Sequence, residues 1–175
     1  MALKQSSEQI QISQNLTFPA SGTFGAFPVD LQLNPLDNEV FVVTAIKIDY
    51  TTRVLPNLAV DGSFAILDRV ALTSTRPDDM PTIGDSNCLG TAYRNTNYAI
   101  AGGTLMTIAM YEQHSTDNPD AHLDRIGIIA TSDFFISLQT DNIGTHQCAV
   151  RVYGYRAKAD SATYAALVQS EVLSA

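Results

Sequence analysis

Two histidines with two aspartates between them make up the segment of this 175-residue sequence best suited to bind a metal. His114 and His122 flank a polar stretch that contains Asp117 and Asp120. Imidazole and carboxylate groups are common ligands of divalent cations. The spacing matches no structural zinc pattern, and the segment lacks the glycine and the distal glutamate of an EF-hand calcium loop. We therefore favour a solvated loop over residues 114–122 and expect no metal or other cofactor, although divalent-ion binding there stays open.

Motifs that mark common catalytic and nucleotide-binding sites are missing from the sequence. There is no G-x-S-x-G nucleophile elbow. The stretch from Ala101 to Thr104 has two glycines but lacks the lysine of a phosphate-binding loop. Any two carboxylates could meet in space as a hydrolytic pair, yet nothing singles out one pair. We therefore predict a protein that is not an enzyme and has no catalytic residues.

The charge of the chain bears on its partners. Asp and Glu outnumber Lys and Arg by 18 to 10, which gives a net charge of −8. Such a surface repels phosphate groups, so no direct nucleic-acid binding is expected. The one local basic cluster is Arg151, Arg156 and Lys158. We favour pairing of this cluster with acids of the same chain over contact with an acidic neighbour, a lipid head group or nucleic acid.

Cysteine content and the start of the chain bear on the compartment. Cys88 and Cys148 form no metal motif or disulfide framework, and two buried thiols are favoured, while a bridge between them stays open. The start of the sequence has no apolar segment of the kind found in signal peptides. No run approaches the ~20 apolar residues of a membrane helix. We expect synthesis in a cytoplasm without a signal peptide.

Short runs of alternating or β-branched residues, separated by turn residues, predict an all-β fold. Ile10, Ile12 and Leu16 alternate with polar residues, which predicts a half-buried strand. Residues 39–50 begin as a continuous apolar run and then alternate, as expected for a strand buried on both faces at its start and on one face at its end. Pro28 predicts an edge or bulged strand. Residues 76–103 are the least regular part, where we expect a long loop with one weak strand near 89–94.

These patterns predict a fold of about eight or nine strands in one domain, since strands do not alternate with helices. We predict an antiparallel β-sandwich of jelly-roll type over residues 1–175, with an N-terminal arm at 1–7.

The last segment of the sequence differs from the rest and predicts a short helix at residues 160–173, with Asp160 or Ser161 as its N-cap. Tyr164, Leu167, Val168 and Val172 form one apolar stripe. A helix of about three turns is marginal alone in water, so the stripe must pack either on the chain's own sandwich or on a neighbouring subunit.

The layout resembles the single jelly-roll capsid proteins of tailless icosahedral viruses that infect archaea and bacteria. Residues 38–43, 133–139 and 151–160 carry the resemblance: NEVFVV, DFFISLQ and RVYGYRAKAD. It implies a virion location, homo-oligomers at capsid lattice positions, contacts with other virion proteins, and no catalytic residues. The chain departs from many such coat proteins because its N-terminus has no basic arm, only Lys4. That departure favours a shell over an inner membrane or an inner protein layer.

The sequence therefore predicts a capsid or shell subunit that acts by self-assembly. The candidate oligomer interface consists of Tyr164, Leu167, Val168, Val172, Arg151 and Arg156. The alternative is a receptor- or carbohydrate-binding β-sandwich, such as a viral fibre or spike head, with its site in the loops 76–103 and 112–122.

Overall fold

The computed structural model describes residues 3–51, 62–102, 104–114, 125–142 and 144–173. Within these residues the chain forms ten strands, a single 3-10 turn at Pro35–Asp37 and one helix, α1, at Ser161–Leu173. The strands are β1 (Lys4–Gln5), β2 (Ile10–Thr17), β3 (Phe24–Asp30), β4 (Glu39–Tyr50), β5 (Gly62–Thr73), β6 (Cys88–Ala101), β7 (Thr104–His114), β8 (Gly127–Ile129), β9 (Asp133–Thr140) and β10 (Gln147–Lys158).

The strands form two antiparallel sheets. In the first sheet β1 and β2 both pair with β10, followed by β4 and β8, and in the second the order is β3-β9-β5-β6-β7. Four strand pairs are nested along the chain: β2·β10, β3·β9, β4·β8 and β5·β6. The outermost of these pairs joins β2 to β10, and the innermost pair, β5 and β6, consists of consecutive strands. This is the connectivity of a jelly roll, so the predicted fold class is confirmed. β7 is an additional strand at the edge of the second sheet.

The main hydrophobic core lies between the two sheets. Val43 and Val150 enter it from the first sheet, and Val70, Ile136 and Leu138 enter it from the second. All five are at most 2% exposed. Alternation along each strand places these residues on the inward face, as expected for a packed sandwich.

The helix α1 covers the outer face of the first sheet. It contributes to a second apolar cluster that contains Val40 and Val42 of β4 and Ala157 of β10. Residues 40–43 are therefore fully buried on both faces, whereas Lys47 and Asp49 further along β4 are exposed. The prediction that β4 changes from two buried faces to one is confirmed, and the helix is the physical reason.

The prediction for residues 76–103 is partly wrong: the strand expected near 89–94 is present, but it belongs to the much longer β6, which occupies fourteen of these residues. The side chains of β6 that face the core include Ala92 and Tyr98. They also include Arg94, which is 7% exposed, and Thr96, which is 3% exposed. Polar residues at inward positions hide the alternation that identifies a strand. They are stable there because Arg94 has a buried anionic partner, which is described below.

The ends of the chain differ slightly from the expected layout. Lys4 and Gln5, in the segment expected to be an arm, pair with Lys158 and Ala157 as β1, which adds a tenth strand to the predicted eight or nine. β3, which contains Pro28, lies at the edge of the second sheet as predicted. At the other end, Asp160 accepts a hydrogen bond from the Thr163 backbone N–H at 2.9 Å, which confirms Asp160 as the N-cap.

Gly154 lies at a bulge in the antiparallel pairing of β10 with β4. A Cβ atom at this position would lie 2.6 Å from Cζ of Phe41 and closer still to the carbonyl oxygen of Val42. Only a residue without a side chain allows the two strands to approach this closely.

We expect Gly154→Ala to lower the free energy of unfolding by about 1–3 kcal/mol, because the added methyl group forces the paired strands apart. Urea unfolding followed by circular dichroism measures this loss. Gly84→Ala is the matched control, since its Cβ would meet only the Thr82 hydroxyl at 3.6 Å. Equal stability of the two variants would contradict the steric role of Gly154.

Candidate functional site

A cluster of buried polar side chains lies where β5, β6 and β9 meet the turn before β10. At its centre is Asp68 of β5, whose side chain is 0% exposed. Its Oδ1 accepts hydrogen bonds from the Thr140 hydroxyl at 2.6 Å and from Nε2 of His146 at 3.0 Å. Its Oδ2 accepts one from Nη2 of Arg94 at 3.1 Å. A carboxylate removed from water needs such partners, and three are present here.

Aromatic rings and a backbone carbonyl close the cluster from the side of the first sheet. The guanidinium of Arg94 lies 4.7 Å from the ring centroid of Tyr50 and donates to the carbonyl oxygen of Thr51 at 3.3 Å. The ring of Phe18 stacks on His146 with 4.2 Å between centroids. The cation–π contact and the stacked ring exclude water from the ion pair and thereby strengthen it.

The pairing of Asp68 with His146 has the residue types of a catalytic dyad, but the cluster is closed. His146 is only 3% exposed, and its other ring nitrogen, Nδ1, lies 3.1 Å from the carbonyl oxygen of Gly144. Cys148 is close in sequence, but burial raises the pKa of its thiol to about 12, which keeps the thiol protonated at neutral pH. Both side chains are buried in the described structure, and their hydrogen bonds join β5, β9 and the turn before β10.

We expect Asp68→Asn to lower the free energy of unfolding by about 3–5 kcal/mol, because the buried Arg94 guanidinium loses the buried carboxylate that lies 3.1 Å away, while Glu112 lies at 3.9 Å and is more exposed. Adding Arg94→Met should restore part of this loss, since no uncompensated charge then remains in the cluster. Denaturant unfolding of both single variants and the double variant measures the coupling. Asp49→Asn on the exposed face of β4 is the control. Strictly additive losses would contradict the coupled ion pair.

The six residues predicted for an oligomer interface fall in several places. Tyr164, Leu167 and Val168 pack against the chain's own second apolar cluster, which is one of the two alternatives given by the sequence. Val172 does not share this contact, as it is 64% exposed. The apolar stripe of α1 is thus divided into a part that covers the first sheet and a part that faces solvent.

The basic cluster of β10 is mostly used within the chain. Arg156 donates to the carbonyl oxygen of Leu31 at 2.9 Å and lies 3.7 Å from Glu39, and Lys158 lies 3.2 Å from Asp37. This agrees with the favoured interpretation of pairing with acids of the same chain. Arg151 is exposed and lies within 3.4 Å of the Tyr153 hydroxyl. A role of these arginines between subunits stays a prediction.

Glu171 of α1 is a structural anchor that the sequence did not indicate. Its carboxylate is 7% exposed and accepts the backbone N–H groups of Ala130 at 2.9 Å and Thr131 at 3.0 Å, just after β8. Burial raises the pKa of this carboxyl, although the two hydrogen bonds oppose the shift. A glutamate in the last turn of an amphipathic helix normally faces water, so nothing in the pattern predicts this contact.

We expect Glu171→Ala to lower the free energy of unfolding by about 1–3 kcal/mol, because two buried N–H groups lose their acceptor. Thermal unfolding and hydrogen exchange at Ala130 and Thr131 measure the effect. Val172→Ala at the exposed neighbouring position should leave both unchanged. Unaltered exchange in the Glu171 variant would show that the contact does not hold the helix.

The segment over residues 114–122, for which the sequence favours a solvated loop and leaves divalent-ion binding open, lies largely outside the described residues. The backbone of β7 ends at His114, while Asp117, Asp120 and His122 belong to residues 115–124, which the structure does not describe. Among the described residues, no three His, Cys, Asp or Glu side chains come close enough to hold a metal ion. Cys88 and Cys148 are both free thiols.

The main exposed apolar surface lies on β7, and we call its side chains the β7 surface. Its members are strand residues with 38–63% of their area exposed, namely Leu105, Met106, Ile108, Met110 and Tyr111. Within the described part of the chain β7 pairs only with β6, so its other edge carries backbone groups without a strand partner. Long, apolar edge strands readily pair with another strand. The apolar run of residues 104–111 is typical of a strand, but it gives no sign that both faces of that strand are exposed.

A groove of about 480 Å³ runs along the outer face of the second sheet, beside the loop that contains Met80 and Ile83. Arg69, Tyr93 and Gln113 form part of its wall. The Tyr93 hydroxyl donates to Oε1 of Gln113 at 2.5 Å, and Nη1 of Arg69 donates to Oε1 of Gln139 at 3.3 Å. The groove therefore combines an aromatic ring with amide and guanidinium groups.

Neither a protein-family model nor a curated protein matches this sequence. In the part of the chain that the structure describes, no helix has the length and apolar character needed to cross a membrane.

Proposed function

We propose that this chain is a structural subunit of a virion, a capsid or shell protein that acts by self-assembly. The observation that carries the proposal is the β7 surface: an eleven-residue edge strand whose apolar side chains are exposed on both faces. Soluble monomers usually protect such an edge with lysine, proline or a covering segment. Residues 104–111, TLMTIAMY, contain no charged residue and no proline.

Assembly removes this surface from water. Full burial of a large apolar side chain contributes about 1.5–3 kcal/mol, and the β7 surface has five such side chains that are partly or mostly exposed. A strand partner would also satisfy the open backbone groups of β7. A neighbour that pairs with β7 along this edge would supply both gains.

A closed shell requires at least two different contacts on each subunit, because a single twofold contact ends at a dimer. The exposed end of α1 is a suitable second contact, with Val172 and Leu173 exposed by 64% and 78%. It lies on the outer face of the first sheet, whereas β7 forms the edge of the second. Arg151 is exposed on β10 of the same first sheet.

The charge distribution favours a shell that does not touch the genome directly. The net charge is −8, and Arg156 and Lys158 are engaged with acids of the same chain. We therefore assign this subunit to a layer over other virion proteins or over an inner membrane. The resemblance to single jelly-roll capsid proteins supports the same assignment.

We expect the purified chain to form closed particles or regular sheets in electron micrographs and to sediment faster than a monomer. Ile108→Lys should abolish these assemblies, because it places charge in the buried contact, and circular dichroism should remain unchanged since Ile108 is 63% exposed. Ile83→Lys is the matched control, at a similarly exposed apolar position outside β7. A chain that remains monomeric at every concentration, alone and with other virion components, would contradict the proposal.

The groove on the second sheet supports a second candidate function, binding of a carbohydrate by a fibre- or spike-like domain. The Tyr93 ring offers a stacking face, and the side chains of Arg69, Asn95 and Gln113 offer hydrogen bonds to hydroxyl groups. A glycan array with the wild type and Tyr93→Ala tests it, with Tyr155→Ala as the control. Absence of any glycan signal removes this candidate.

A further inference from the structure

We propose that β7 pairs with β7 of a second copy of this chain, antiparallel, about a twofold axis between Thr107 and Ile108. This pairing would join the two second sheets into one continuous sheet. This pairing rests on the proposed function, because both treat the β7 surface as an assembly contact. The pairing adds the partner and the register of that contact.

The register of β7 on β6 shows which face each β7 side chain occupies, because opposite residues in a sheet share a face. Leu105 and Met110 lie opposite Ile100 and Thr96, which are buried on the inner face. Met106, Ala109 and Tyr111 lie opposite Ala99, Asn97 and Asn95, on the outer face. Ile108 is the extra residue between Thr107, opposite Tyr98, and Ala109, opposite Asn97.

This inserted residue restricts how two copies of β7 can pair. A pairing of Met106 with Met110 would set an outer side chain against an inner one. A pairing of Met106 with Ala109 instead places side chains of the same face opposite each other. The same register pairs Leu105 with Met110 on the inner face and Thr104 with Tyr111 on the outer face. Thr107 and Ile108 then lie next to the axis. Every residue from 104 to 111 is paired with another residue of the same uncharged stretch.

Charge favours this register over a shifted register that also places side chains of the same face opposite each other. Shifting the pairing so that Met106 meets Tyr111 would place Glu112 opposite Leu105 and bury a carboxylate beside an apolar side chain. In the proposed register Glu112 stays outside the uncharged pairs, 3.9 Å from Nη1 of Arg94.

The uncharged, self-matching sequence of β7 favours a second copy as the partner at this edge. A chain with a net charge of −8 repels its own copies over most of its surface. The stretch from 104 to 111 is uncharged and matches itself in face pattern, so it offers a copy both a strand edge and apolar pairs.

Paired cysteines test the register directly. In a Cys88→Ser background, the double variant Met106→Cys/Ala109→Cys should form an interchain disulfide dimer under mild oxidation by copper-phenanthroline and air. Directly opposite Cα atoms lie about 4.5–5.5 Å apart, which a disulfide can span. Met106→Cys alone should not cross-link, since the two copies of residue 106 would be about 10 Å apart along the strand. Met106→Cys/Met110→Cys, on opposite faces, is the matched control.

The outcomes separate this inference from the proposed function. Cross-linking of the Met106/Ala109 variant but not of the control supports the pairing, even if no particles form. Particles without this cross-link overturn the pairing and leave the shell function standing. Preferential cross-linking of Met106→Cys/Tyr111→Cys overturns the register, and a chain that neither cross-links nor assembles overturns both proposals.

Discussion

The buried carboxylate of Asp68 is the group on which the arrangement of the second sheet depends. Its hydrogen bonds reach Arg94 on β6, Thr140 on β9 and His146 before β10, so one side chain connects the middle of the sheet to the end of the sandwich. An unpaired buried charge is costly, and each of these strands must therefore keep its register. β7 has β6 as its only strand partner among the described residues, and β6 contributes Arg94 to this cluster.

The two sheets differ in how their apolar surfaces are covered. The first sheet is covered on its outer face by α1, which is attached at one end by the Asp160 cap and at the other by the contact of Glu171 with the backbone of Ala130 and Thr131. The second sheet ends in β7, whose apolar side chains remain exposed. This asymmetry leaves exposed apolar side chains and open backbone groups together along β7. The proposed assembly is the simplest way to satisfy both.

Much of the fold could be predicted from the sequence because most strands show hydrophobic alternation. The half-buried β2, the change of burial along β4 and the capped terminal helix all followed from local patterns. β6 did not, because Arg94 and Thr96 occupy inward positions that local patterns assign to apolar residues. The candidate site was harder still, since Asp68 and His146 are 78 residues apart and meet only in the folded chain.

The sequence by itself determined that residues 104–111 form an uncharged stretch of strand and that acidic residues outnumber basic ones in the chain. It also determined the apolar stripe of α1. Only the tertiary structure decided that β7 lies at an edge with both faces exposed, and that Tyr164, Leu167 and Val168 cover the chain's own sheet while Val172 does not. The physical reason is that strand propensity and charge are local properties, whereas exposure depends on which distant strands and helices lie alongside.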